Sequence, residues 1–459
     1  MNALLPEHYK KAFKDADIRG VYPKEISEVL VYRAARALTK LHSLKTVVVG
    51  RDMRLSSPGL HKALLQGFKE EGVAVLDLGL IPTPVLYHVS GEQKVWGVMI
   101  TASHNPTEYN GLKIVKPGAV PLTNATGMKD VQKMVSDGTV FAYGKKAKKG
   151  GVVTKKRYVA DYVKKQLTHF SNHSSEDIRI VACAGNGMAS VMLSALPKRL
   201  IKQIDVINSD LDGSFPSRGS NPMLKKNQKP VVSALKGGQY TFGVAFDGDG
   251  DRVAFFTPEG KMVNSAVIGA VIARQLLKEE SGSVCIDTIF NSRAYQETVR
   301  REKGKIVKAR VGHAFIKEKM KAHDALFGCE HSGHFYFKYN YYADSSILAL
   351  LYVIQALKEE GGDFKSLLQP FSSYYQTEEV LVEVENKKQT IQSITKEYEG
   401  HEGVTVRKFD GITVEFDDGW FALKPSVTED ALKYVVEASA RKKAVTVQKE
   451  LKELLKKYK

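Results

Sequence analysis

The chain of 459 residues predicts an α/β protein: three related mixed-sheet α/β domains and a smaller C-terminal α+β domain. Three observations lead there. Single hydrophobic cores rarely grow past ~250–300 residues, so this length calls for several. Apolar strand-like runs alternate with helical patterns through most of the chain, which is how mostly parallel sheets are built. Segments 46–51, 178–186 and 283–291 each pass from an apolar strand into a polar or Gly/Asn turn and then a helix. That weak internal repeat has domain-sized spacing, unlike a solenoid. The expected boundaries are 1–148, 149–256, 257–371 and 372–459.

Taken in order, the first domain has a helix from about residue 26 to 41 and a β-branched strand at 46–49. A helix from about 58 to 71, a strand at 73–77 and a Pro82-Thr-Pro84 break follow. The Gly- and Lys-rich segment 144–151 reads as a linker. The second domain ends near Phe256 and the third near residue 370, with 371–377 as a hinge. From Glu379 the pattern changes to alternating strands at 380–384, 404–406, 412–416 and 420–423, then a helix from about Glu429. That is the composition of a small antiparallel α+β domain.

Hydrophobic content of 43% and charged content of 26% read as soluble and globular. The N-terminus has charges from Glu7 onward and no signal-peptide core. The longest apolar run, near 347–354, is too short to span a bilayer. Cys183, Cys285 and Cys329 are scattered without a CxxC pair, which argues for a reducing cytoplasm and against a zinc site or disulfide framework. The formal charge of +17 raises the question of nucleic acid. No zinc-finger, RNP or heptad pattern accompanies it, and a field that attracts phosphorylated small molecules needs no more.

Two stretches carry chemistry. An apolar run, 95–100, leads into Thr101-Ala-Ser-His-Asn-Pro-Thr-Glu-Tyr-Asn-Gly111. Pro106 stiffens the loop and Gly111 permits a tight return. Ser103 and His104 therefore sit at the end of a buried strand, where α/β sheets place ligands. In Asp247-Gly-Asp-Gly-Asp-Arg252, three carboxylates alternate with two glycines between strand-like runs. Like charges so close repel unless a cation neutralises them. Mg²⁺ suits a few carboxylates plus phosphate oxygens. An EF-hand is excluded, because Arg252 holds its loop-glycine position and Pro258 its closing-glutamate position. Arg19, beside Gly20, is suited to phosphate contact.

Together these motifs resemble the α-D-phosphohexomutase superfamily, and within it the phosphomannomutase/phosphoglucomutase group. Residues 101–111 look like its phosphoserine loop and 247–252 like its metal loop. Cys329-Glu-His-Ser-Gly-His-Phe335 looks like its sugar-recognition loop, and Lys424-Pro-Ser-Val-Thr-Glu429 like its phosphate clamp. The resemblance runs from Phe13 to about Ala438. It implies four domains around a central cleft and an enzyme that interconverts hexose 1- and 6-phosphates of mannose or glucose. Ser103 would carry the phosphoryl group, and a hexose 1,6-bisphosphate would be intermediate and activator. Mg²⁺ would be held by Ser103, Asp247, Asp249 and Asp251.

The resemblance also implies roles for other residues. Arg19, Arg252, Lys113, His104 and His313 would stabilise charge or move protons. Glu330, Ser332 and His334 would read sugar hydroxyls. Lys424, Ser426 and Thr428 would hold the non-transferring phosphate. The chain departs from the family at Ala16, where an aromatic residue is usual, and at Lys424 and Val427, where arginine and asparagine are usual. The implied partner is a phosphorylated hexose, with no nucleic acid or membrane, and the implied assembly is a monomer or homodimer. A phosphoglucosamine mutase of the same superfamily is the nearest alternative. A metal-dependent serine phosphatase would not need Glu330, Ser332 and a separate clamp. A phosphosugar-binding protein without turnover would not need Ser103 and the Asp triplet.

Overall fold

The computed structural model describes residues 5–142, 150–170, 178–426 and 431–458. The chain forms two compact units: Met1–Val263 with Ser332–Phe364, and Asn264–His331 with Lys365–Lys459. The expected linker at 144–151 lies outside the described residues except for Gly150 and Gly151.

The first unit contains a seven-stranded sheet. Its main order is Asp17–Val21, Tyr109–Lys116, Trp96–Ile100, Thr46–Arg51, Ala74–Leu80 and Val153–Lys155. Thr46–Arg51 runs parallel to Ala74–Leu80 and Trp96–Ile100, whereas Tyr109–Lys116 is antiparallel to both its neighbours. Helix Glu28–His42 begins at Ser27, whose side chain accepts from the Leu30 N–H, satisfying one orphan donor of the first turn. Leu30, Val31 and Leu38 pack with Val47, Val49, Leu60, Leu64 and Phe68 in one core. Burial of such side chains contributes ~1.5–3 kcal/mol each, and this core makes the sheet a rigid base for its loops.

A second sheet in this unit has the order Val253–Phe256, Phe242–Phe246, Ile180–Cys183, Ile204–Ile207. Only the edge strand Val253–Phe256 is antiparallel to its neighbour. The unit also includes the hairpin of Phe335–Phe337 with Ala343–Asp344 and helix Ser346–Glu359, most of whose residues are buried.

In the second unit, parallel strands Lys305–Lys308, Val284–Asp287 and Phe327–Cys329 lie side by side. The repeat seen in the sequence appears as strands Thr46–Arg51, Ile180–Cys183 and Val284–Asp287, each followed by a turn and a helix. The C-terminal part is a six-stranded antiparallel sheet built on Ala431–Ala438 and Gly419–Pro425. Leu432, Tyr434 and Val436 share a core with Ile394, Leu451 and Leu455. Val435 on the other face joins Trp420, Ala422, Ile289 and Phe290.

One expectation fails here, and one element is new. Residues 431–438 are a strand, and the C-terminal helix spans Arg441–Leu455. Both faces of 431–438 are buried, so the run lacks clean alternation and periodicity does not separate strand from helix. Helix Lys387–Tyr398, capped by Asn386 on the Gln389 N–H, was not anticipated. Within the segment expected as a hinge, Phe371 is buried and Tyr375–Gln376 pairs with Ala438 and Glu437. Among the described residues, no helix is long and apolar enough to cross a membrane.

Asp287 ends its strand fully buried. Burial, only partly offset by Lys308, Asn291, the Thr288 N–H and Arg300, pushes its carboxyl up to about 7. The folded state therefore favours the proton. This stabilisation is full below the ordinary value of 3.8 and is lost as pH rises through about 7. Asp287→Asn keeps the shape and cannot ionise. Its stability relative to the parent should rise between about pH 4 and about pH 8, measured by urea unfolding through Trp420 fluorescence in a Trp96→Phe background. A difference that does not change with pH would contradict this.

Candidate active site

Strands Trp96–Ile100 and Tyr109–Lys116 pair antiparallel, with Ile100 opposite Leu112. The loop between them carries Ser103. Thr101 N–H donates to Gly111 O at 3.0 Å, Asn105 N–H to Ala102 O at 3.0 Å, and Ser103 N–H to Thr101 Oγ1 at 2.9 Å. Gly111 is required for space, since a Cβ there would lie 2.4 Å from Ile18 O. Ser103 itself has φ +50°, a left-handed conformation that side chains other than Gly, Asn and Asp seldom adopt. Such a residue persists only where its surroundings over-determine it.

Arg54 supplies that constraint, and its role was missed in the sequence. Its guanidinium donates to the carbonyls of Ser103 at 2.9 Å, Asn105 at 2.6 Å, Pro106 at 2.7 Å and Tyr109 at 3.0 Å. The side chain is 0% exposed and pairs with buried Asp52 at 3.3 Å. Asp52 in turn accepts from Ser57 Oγ at 2.6 Å. The signal was the cluster Gly50-Arg-Asp-Met-Arg-Leu-Ser-Ser57, with charged residues at the end of a buried strand.

The acidic loop joins Phe242–Phe246 to Val253–Phe256, whose register closes at Phe246 opposite Val253. Ser103 Oγ donates to Asp247 Oδ2 at 2.7 Å across 144 residues of sequence. The approach needs Gly248, since a Cβ there would sit 2.6 Å from Ser103 O. Asp247 Oδ1 also accepts from the backbone N–H of Asp251 at 3.1 Å and Arg252 at 3.2 Å. Lys113 Nζ donates to Asp249 Oδ2 at 2.7 Å and to Asp251 Oδ2. Thr83 Oγ1 donates to Asp249 as well.

The three buried carboxylates offer oxygens within 4.8 Å of one another. Burial, then the charges of Asp251 and Asp249, raises the Asp247 carboxyl well above its ordinary value. Burial would raise Asp251 too, but Lys113, ahead of Arg252, outweighs it and holds that carboxyl well below the usual range. Asp249 Oδ1 and Asp251 Oδ1 are buried and accept no hydrogen bond among the described residues. Converging hard oxygens, free lone pairs and uncompensated charge fit a divalent cation.

Around this centre stand most of the residues expected in the first unit. His104 Nδ1 is 3.3 Å from Ser103 Oγ. Loss of hydration, ahead of the charges of Arg252 and Arg19, lowers its imidazole well below its ordinary pKa. Arg19 donates to Asn105 Oδ1 at 2.9 Å and pairs with Asp17 at 2.6 Å. Arg252 Nε donates to His334 Nε2 at 3.2 Å and lies 3.9 Å from Asp247. Ser332 Oγ is 2.9 Å from His334 Nδ1, and the His334 ring stacks near Tyr336 at 5.9 Å.

The second unit holds the remaining candidates. Glu330 Oε1 accepts from Gly312 N–H at 2.8 Å, directly before His313, which opens helix His313–Ala322. Gly312 has φ +125°. Lys424, near the end of strand Gly419–Pro425, donates to both oxygens of Asp410 at 2.8 and 2.9 Å. Ser426 is buried, and its hydroxyl has no partner among the described residues. Val427 and Thr428 lie outside the described residues.

Two substitutions test how the serine is held. Gly248→Ala forces the serine loop and acidic loop apart. Displacement of about 1 Å can lower turnover ~10²-fold, so activity should fall by that order with an unchanged circular dichroism spectrum. Arg54→Met leaves Asp52 buried without its cation. It should lower the unfolding free energy of the first unit by ~3–5 kcal/mol, measured by urea unfolding through Trp96 fluorescence in a Trp420→Phe background.

Comparison with known proteins adds to this geometry. Residues 10–139, 156–260 and 264–374 match the phosphoglucomutase/phosphomannomutase alpha/beta/alpha domains I, II and III, respectively. The chain is 31% identical over 443 residues to a phosphomannomutase of Methanocaldococcus jannaschii, covering 96% of this chain and 97% of that one. It is 32% identical over 428 residues to a protein of Xanthomonas campestris described as phosphohexose mutases, covering 93% and 94%. A crystal structure of a phosphoglucomutase/phosphomannomutase family protein from Burkholderia thailandensis superposes with a TM-score of 0.85 at 26% identity, covering 97% of each chain.

Proposed function

Given that the chain belongs to the phosphoglucomutase/phosphomannomutase family, we propose that it is a phosphohexomutase interconverting the 1- and 6-phosphates of mannose or glucose. The observation that carries this reading is the contact of Ser103 Oγ with Asp247 beside two further buried carboxylates. A nucleophile placed on a cation-binding cluster suits phosphoryl transfer, which needs positioning and charge neutralisation more than covalent chemistry from the protein.

In this reading Ser103 carries a phosphoryl group. A free hydroxyl of the bound hexose monophosphate attacks phosphorus; the P–Oγ bond of Ser103 breaks and a new P–O bond to the sugar forms. The hexose 1,6-bisphosphate reorients, and its other phosphoryl group returns to Ser103 Oγ. Asp247, Asp249 and Asp251, with an oxygen on Ser103, would hold Mg²⁺, which supplies Lewis-acid stabilisation of phosphoryl charge when bound. His104, 3.3 Å from Ser103 Oγ, is the nearest ring nitrogen for moving a proton there. Lys113 bridges Asp249 and Asp251, so it orders the carboxylates and stabilises charge, as do Arg252 and Arg19. His313 is assigned to proton transfer or sugar contact.

Glu330, Ser332 and His334 are assigned to the sugar hydroxyls, and Lys424, Ser426 and Thr428 to the non-transferring phosphate. Hexose 1,6-bisphosphate would act as activator. The proposed domains are 1–148, 149–256, 257–371 and 372–459. A reducing cytoplasm is the proposed location, and the three cysteines are buried free thiols. A monomer or homodimer is the proposed assembly.

Ser103→Ala should lower mutase turnover by several orders of magnitude, because it removes the covalent relay. Intact-mass measurement should show one phosphate on the active parent and none at this position in the variant. Near-parental rates in Ser103→Ala would overturn the reading. Chelation should abolish activity and Mg²⁺ should restore it. Rates with glucose 1-phosphate, mannose 1-phosphate and glucosamine 1-phosphate, each with trace hexose 1,6-bisphosphate and Mg²⁺, identify the sugar and separate the phosphoglucosamine mutase alternative.

A further inference from the structure

Within the second unit, the lysine assigned to the phosphate clamp already holds an anion. Lys424 Nζ donates to Asp410 Oδ1 at 2.8 Å and Oδ2 at 2.9 Å. The Val311 N–H donates to Oδ2 at 2.8 Å, and Arg310 Nε lies 3.6 Å from Oδ1. An ammonium, a guanidinium and a backbone amide around one carboxylate form the kind of donor set that binds phosphate. The Lys424 and Asp410 side chains are only 7% and 5% exposed.

The backbone is shaped to deliver this carboxylate. Asp410 has φ +52° in the turn between strands Thr405–Lys408 and Ile412–Phe416. Gly411 follows with φ +116°, and a Cβ on it would come 2.2 Å from Leu423 O and 2.9 Å from the Lys424 Cα. The turn is therefore pressed against the strand that bears Lys424. Two residues further on, Ser426 keeps a buried hydroxyl with no partner among the described residues. Lys387 Nζ donates to its carbonyl at 3.4 Å.

We propose that Asp410 is an internal anion that competes with the non-transferring phosphate for Lys424 and so limits how tightly the phosphosugar is held. This rests on the assignment of Lys424 and Ser426 to the clamp. An ammonium has three protons, and Asp410 takes two. Phosphate can receive more than one only if Lys424 gives up an oxygen of Asp410. The Val311 N–H and Arg310 still face Asp410 after that exchange, so the carboxylate is not left bare. The exchange suits a hold that must be released for the bisphosphate to turn over. It also accounts for lysine at this position: its compact charge on a flexible stem can pass between two acceptors, whereas an arginine fork would favour a fixed bidentate pair with Asp410.

The test compares the parent with Asp410→Asn, Lys424→Met and the double variant. Asparagine tolerates the left-handed turn, and its amide oxygen can accept from Val311. The readouts are KM and kcat for the hexose monophosphate that the parent turns over, affinity for inorganic phosphate by calorimetry, and melting temperature. Asp410→Asn should lower KM and the phosphate Kd by roughly three- to tenfold without a matching rise in kcat. The gain should vanish in the Lys424→Met background. An unchanged or raised KM in folded Asp410→Asn overturns the proposal, as does a gain that survives in the double variant. Parental KM and phosphate affinity in Lys424→Met would instead overturn the clamp assignment, and absence of mutase turnover in the parent would overturn the activity. Should the asparagine variant not fold, Asp410→Gly removes the carboxylate from a backbone that glycine accepts freely.

Discussion

Three carboxylates buried within a few ångströms of one another repel strongly, and the construction around residues 247–251 answers that repulsion. Asp247 takes two backbone N–H groups and the Ser103 hydroxyl. Lys113 spans Asp249 and Asp251. His334 lies 3.5 Å from Asp251, tied on its other side to Ser332 and joined to Arg252. Asp249 Oδ1 and Asp251 Oδ1 still accept no hydrogen bond among the described residues, so the protein compensates part of the charge and leaves room for a cation. A fully compensated cluster would have no use for one, and an uncompensated cluster would resist folding.

The same demand extends to the serine loop. To meet Asp247, Ser103 takes a left-handed backbone that is unfavourable in isolation. Arg54 holds that conformation through four carbonyls, and Gly248 removes the side chain that would block the approach. Buried arginine is tolerable because its two Nη groups donate to four carbonyl oxygens and its Nε lies 3.3 Å from the Asp52 carboxylate. The contacts that order the loop are also the ones that bring the Ser103 hydroxyl to Asp247.

The second unit solves a different problem with similar means. There the buried Lys424 is balanced by Asp410 rather than left as a free charge. The Gly411 turn and the Val311 N–H fix the carboxylate. Glu330 is likewise oriented by the Gly312 N–H beside His313. In both units, backbone amides and glycines set the positions of side chains that carry charge.

By itself the sequence determined the chemistry that lies within short contiguous runs. Alternating Asp and Gly at 247–251, Ser and His before Pro106, and the flanking strands were all legible, because local geometry follows from neighbours in the chain. The repeat at 46–51, 178–186 and 283–291 was legible for the same reason. The tertiary structure decided what depends on distant partners: strand rather than helix for Ala431–Ala438, Arg54 as the anchor of the serine loop, Lys113 as a bridge between carboxylates, and Asp410 as the partner of Lys424. Local pattern cannot reveal these, since buried charge seeks its complement through space, and strand register decides which residues are brought near.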